Sequence, residues 1–74
     1  MQSKIVKRSV VIGGRKTSVS LEDEFWQALV EMAGDSQINV SALIRQIDKQ
    51  RNNANLSSAL RLAAFAYFDR RRNN

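Results

Sequence analysis

The chain has 74 residues, with 12 Lys and Arg against 7 Asp and Glu for a formal net charge of +5, and it contains neither His nor Cys. That length allows one small domain, near the limit at which a lone monomer buries enough apolar surface, and the missing Cys removes disulfides as compensation. Without His and Cys the usual general base, thiol nucleophile and zinc ligands are absent, so no enzyme, cofactor or metal is expected.

Met1 to Gly14 reads as a basic N-terminal arm, polar apart from a few aliphatic residues. Within it Ser9 to Ile12 is β-prone, and Gly13-Gly14 can take the positive φ of a tight hairpin turn. Two arrangements follow. In the favoured one the arm is extended and the glycine pair is a hinge. In the other, residues 9–12 fold back on the next strand, and a sheet shared by two copies becomes four strands wide instead of two.

Lys16 to Leu21 alternates in period two, with Val19 and Leu21 on one face and Lys16, Ser18 and Ser20 on the other. The period then changes. Phe25, Ala28, Leu29, Met32 and Ala33 form the apolar stripe of a helix, with Ser20 and Asp23 matching a capping box and Glu22, Asp23 and Glu24 suiting the positive end of the helix dipole. Gly34-Asp35-Ser36 ends that helix. Asn39 is a good N-cap for a second, with Val40, Leu43, Ile44 and Ile47 as its apolar positions. The core unit thus spans residues 15–54, closing on a polar connector from Lys49 to Asn55. A third helix over 55–69 follows, apolar almost all round from Leu62 to Phe68, and a basic tail over 70–74 carries Arg70-Arg71-Arg72. That tail either touches phosphates of a bound polyanion or complements the helix C-terminus.

A single strand has two unpaired edges and is unstable alone, so antiparallel pairing with the same strand of a second copy is the expected solution. Val19, Leu21, Phe25, Trp26, Leu29, Leu43 and Ile47 are the expected dimer core. Charge is unevenly spread: residues 1–16 carry five bases and no acid, whereas residues 17–35 carry five acids and no base. A polyanion bound on the strand side fits that polarity. No apolar run approaches the ~20 residues of a membrane span, so a soluble, cytoplasmic protein with no membrane partner is expected.

Lys16 to Ile47 resembles the Arc/MetJ-like ribbon-helix-helix superfamily of bacterial DNA-binding proteins. More narrowly, Gly14-Arg15-Lys16-Thr17-Ser18-Val19-Ser20-Leu21-Glu22 followed by Phe25-Trp26 is similar to a small subfamily in which a third helix begins near the equivalent of Leu56-Ser57-Ser58-Ala59-Leu60-Arg61. A histidine is common there where this chain has Arg15. The resemblance implies a mainly α fold with one short β-strand: an intertwined homodimer with an intermolecular antiparallel ribbon and a C-terminal third helix. It implies a sequence-specific regulator, most simply a repressor, inserting its ribbon into the major groove of double-stranded DNA. Lys16, Ser18, Ser20 and Arg15 would be the base contacts. Asn39, Val40 and Ser41 would clamp a phosphate at the second helix start, with Lys7 and Arg8 on the backbone from the arm.

Two other functions share these features. An antitoxin would bind its own promoter with the ribbon and mask a toxin with its C-terminal part. A protein-interaction adaptor would use the exposed side of the third helix, on which a protein partner or a further dimer would dock. The glycine hairpin is the adaptor's best support.

Overall fold

The computed structural model describes residues 4–51 and 55–72. The expectations for residues 1–3 of the arm, 52–54 of the connector and 73–74 of the tail lie outside the described residues.

Strand β1 (Ile5–Ile12) turns through Gly13-Gly14 into strand β2 (Arg15–Glu22), and the two pair antiparallel from Ile5 opposite Glu22 to Ile12 opposite Arg15. Both glycines sit at positive φ, +58° and +80°. A two-residue turn with both central residues left-handed is the kind whose twist matches a hairpin, and glycine adopts it without steric cost. The single expected strand is therefore two, and residues 5–12 are strand rather than an extended arm. Strand β2 finds its partner within the chain, which removes the premise that a second copy must supply one.

Helix α1 (Asp23–Asp35) begins where β2 ends, with Glu22 as an extended N-cap that makes no side-chain capping bond. The Ser20 capping box does not form, because β2 runs two residues past Ser20. Asp23 and Glu24 still occupy the first turn, where the helix dipole favours them. At the other end, Gln37 N–H donates to the Gly34 carbonyl at 3.0 Å and Ile38 N–H to the Ala33 carbonyl at 2.9 Å. That is a Schellman closure with Gln37 in the left-handed position at φ +60°. The helix thus ends at Asp35 with Ser36 as its C-cap, within the stretch expected to end it. Since glycine suits that φ and glutamine does not, Gln37→Gly is expected to raise stability by about 0.5 to 1 kcal/mol, read from the urea midpoint.

Asn39 caps helix α2 (Val40–Gln50), its Oδ1 accepting from Ala42 N–H at 2.8 Å as expected. Asn55 caps helix α3 (Leu56–Arg72) in the same way through Ser58 N–H at 2.8 Å. Helix α3 runs to Arg72, so the arginines expected as a tail form its last turn.

The three helices pack beneath one face of the hairpin. Val10 and the β2 residues Val19 and Leu21 meet Ala28, Leu29 and Ala33 of α1, Leu43 and Ile44 of α2, and Leu60 and Ala64 of α3 in one continuous core. Leu21, Leu29, Ile44 and Leu60 have no exposed surface. Phe25, Trp26 and Ile47 pack against this core, so all seven residues expected at a dimer core contribute to the core of one chain. On α3 the all-round apolar pattern leaves Leu62 68% and Phe65 65% exposed.

Candidate nucleic-acid interface

Strand alternation divides the hairpin into an inner face on the helices and an outer face on solvent. Across the outer face Lys7 stands opposite Ser20, Ser9 opposite Ser18 and Val11 opposite Lys16. Lys7, Ser9, Lys16 and Ser18 are polar positions of this face together with Ser20 and with Glu22, the acid at the end far from the turn; Lys16 and Ser18 are exposed, and Ser20 and Glu22 are half-buried. The parity of β2 is as expected: Val19 and Leu21 point to the core, and Lys16, Ser18 and Ser20 point away. Ser9 escapes a reading of the sequence because its place depends on the register of β1. The Gly13-Gly14 turn is the signal that could have set that register.

Arg15 has the other parity. It pairs with Ile12 at the hairpin end and lines a cleft with Ser18, Asp48 and Arg51, apart from Lys16 and Ser20. Ser20 is constrained through its backbone. On the free edge of β2 its N–H donates to Ser57 Oγ and its carbonyl accepts from the Arg61 guanidinium, each at 3.4 Å. Side chains of α3 thus cover the edge that an intermolecular ribbon through β2 would use. Arg61 also bonds Glu22 at 2.9 Å. A backbone hydrogen bond first, and then that guanidinium, hold the Glu22 carboxylate below its usual range.

Arg8 departs from expectation. It lies on the inner face opposite Val19, bonds the Asp23 carboxylate at 2.8 Å and stacks 4.8 Å from the centre of the Trp26 ring. Engaged there, it is a structural clasp between β1 and α1 rather than a phosphate contact. Arg8→Ala is expected to cost about 1 kcal/mol of stability, seen in urea unfolding, while leaving the salt slope of DNA binding unchanged.

The remaining ion pairs follow the same pattern. Asp48 holds Arg51 at 2.6 Å and Glu31 holds Arg71 at 3.1 Å; Arg71 also lies over Tyr67, whose hydroxyl donates to Asp35 at 2.9 Å. The Asp35 bond is the main reason the Tyr67 hydroxyl is pushed above its ordinary pKa. Arg71 ties α3 to α1 through Glu31, a role that neither reading of the basic tail gave it. Among the described side chains, the cations with no carboxylate partner are Lys4, Lys7, Arg15, Lys16, Arg45, Lys49 and Arg70. All but Lys4 and Arg70 lie on the hairpin or on α2.

At the start of α2, Asn39 takes the Ala42 amide, and the Val40 and Ser41 amides have no partner among the described residues. These two N–H groups and the Ser41 hydroxyl form a donor set suited to an anion. Among the described residues no group of three or more His, Cys, Asp or Glu is placed to hold a metal ion, and no helix is long and apolar enough to cross a membrane.

A family model described as a ribbon-helix-helix domain matches residues 5–68. The solved structure of an uncharacterized protein from Bordetella pertussis Tohama I is similar at 30% sequence identity and a TM-score of 0.80. The similarity covers 96% of this chain and 61% of that one, so the chain spans less than two thirds of its neighbour's length. No curated protein matches.

Proposed function

The chain belongs to the ribbon-helix-helix domain family, whose members generally bind DNA as transcription regulators or antitoxins, and from that premise we propose that it is a sequence-specific DNA-binding regulator acting as a repressor. The observation that carries this reading is the outer face of the hairpin. It presents Lys7, Ser9, Lys16, Ser18 and Ser20 on a two-stranded ribbon, and neither lysine is neutralised by a carboxylate among the described residues.

A two-stranded ribbon fits the major groove, and the hairpin supplies both strands from one chain. Lys16, with donors only, suits guanine O6 and N7. Ser9 and Ser18 donate or accept and so discriminate less sharply, and Ser20 joins them from its half-buried position. The amides of Val40 and Ser41, held in position by the Asn39 cap, suit a backbone phosphate beside the groove. Lys7 lies on the reading face itself, beside Ser20, within reach of a base edge or a phosphate. Ribbon-helix-helix domains typically form dimers, and a homodimer here would place two hairpins on successive half-sites.

The test is fluorescence anisotropy with the protein's own upstream DNA and a scrambled duplex across a salt series. Tight, salt-dependent binding that prefers the upstream duplex supports the reading; equally weak binding to both removes it.

A second reading, a protein-interaction adaptor, is favoured by two observations: Ser9 to Ile12 pair along the ribbon, and Leu62 and Phe65 stand bare on α3. The antitoxin reading has less support, because Leu60 and Ala64 tie α3 into the core. A co-purifying protein held by α3 and lost on Phe65→Asp would favour the adaptor; a small toxin in its place would favour the antitoxin.

A further inference from the structure

We propose that the groove between α2 and the hairpin turn is a second contact track, for the sugar-phosphate backbone of duplex DNA, with Arg45 and Lys49 as its cationic contacts. The proposal rests on the DNA-binding reading and extends the contact surface beyond the α2 start.

Helical spacing puts Ser41, Arg45 and Lys49 at i, i+4 and i+8 on one face of α2, while Leu43 and Ile44 turn into the core. The hairpin turn forms the opposite wall. Gly13 has no side chain there, and Arg45 Nε lies 4.0 Å from where a β-carbon on Gly13 would stand. The groove measures about 620 Å³ and has room for a phosphodiester with its sugars. Its polar lining consists of Ser41, Arg45, Gln46 and Lys49, with no carboxylate. Asp48, the one acid of α2, is held by Arg51 instead. Arg45 and Lys49 are exposed and have no ion-pair partner among the described residues.

A groove lined by donors and lacking acids selects an anion. Cations about 6 Å apart along a helix meet successive charges of a polyanion rather than share one. Val11 connects this groove to the reading face. It lines the groove and is also the cross-strand partner of Lys16. A duplex seated on Lys16 and Ser18 therefore has a strand backbone passing the hairpin edge towards α2. Being sequence-independent, these contacts would fix position and add salt dependence without selecting bases.

The test compares wild type with the Arg45→Gln/Lys49→Gln double variant by anisotropy on the upstream and scrambled duplexes, after matched thermal melts confirm folding. Each lost phosphate contact lowers the salt slope by about 0.9, so the double variant should lose about 1.8. Affinity should fall by the same factor on both duplexes, leaving their ratio unchanged. Gln27→Glu, on the exposed face of the acidic helix α1, makes the same one-charge change as either single substitution and should leave the slope as it was. The proposal is overturned if the double variant keeps the wild-type slope and affinity, or if Gln27→Glu loses as much slope per charge as the double variant. In either case the DNA reading stands if wild type still prefers the upstream duplex; wild type binding neither duplex overturns both.

Discussion

Leu60→Ala should destabilise the protein by about 2 to 5 kcal/mol, the range for emptying a leucine site in a packed core. A domain of this length is stable by roughly 4 to 11 kcal/mol in all, so the substitution removes a large share and can leave the chain largely unfolded at physiological temperature. The size of the effect comes from position. Leu60 has no exposed surface and shares the core with Leu21, Leu29 and Ile44, which come from the hairpin, α1 and α2. It therefore tests whether α3 is part of the folded unit rather than an appendage. Phe65→Ala, farther along the same helix but 65% exposed, should change stability by no more than about 0.5 kcal/mol. If Phe65→Ala proves the more damaging of the two, and its effect depends on protein concentration, the bare face of α3 is covered in solution by another copy.

Lys16→Ala should weaken binding to the preferred DNA by about 1 to 3 kcal/mol, roughly tenfold or more over most of that range, and relax the preference at one base pair. The side chain is exposed at the turn end of the outer face, has no carboxylate partner among the described residues and shares that face with Ser18. Binding to the scrambled duplex should fall less, because there the lysine contributes only its charge. Equal losses on both duplexes would make Lys16 a phosphate contact and remove it from base reading.

The change of period after Leu21 marks a strand passing directly into a helix. The inward parity of Val19 and Leu21, the Asn39 cap and the start of α3 are equally local and equally readable. Strand β1 is harder to see. Its inward positions are Val6, Arg8, Val10 and Ile12, and an arginine in the second of them breaks the apolar alternation that marks a half-buried strand. What makes Arg8 tolerable there is Asp23 and Trp26, which come from α1 and meet it only in the folded chain. Recognising Arg8 as a clasp therefore requires the tertiary structure. The same holds for Arg71, whose partner Glu31 on α1 is forty residues away and whose other contact, Tyr67, lies one turn earlier on α3. Ser20 departs from expectation for a local reason, since its capping role depends on β2 ending two residues earlier than it does.

The candidate site divides similarly. Lys16 and Ser18 follow from alternation alone. Ser9 and Lys7 join them only through the register imposed by Gly13-Gly14. Arg45 and Lys49 carry no sequence signal as contacts, because nothing local says that their face of α2 looks onto the hairpin turn.

That the outer face of the hairpin receives duplex DNA is tested most directly by mapping backbone amide shifts in a nuclear magnetic resonance titration with the upstream duplex. Perturbations are expected at Lys7, Ser9, Lys16 and Ser18, continuing through Ser41 to Lys49 on α2, with the Leu62 to Phe65 face of α3 unchanged. Shifts concentrated on Leu62 and Phe65, with the hairpin silent, would contradict it.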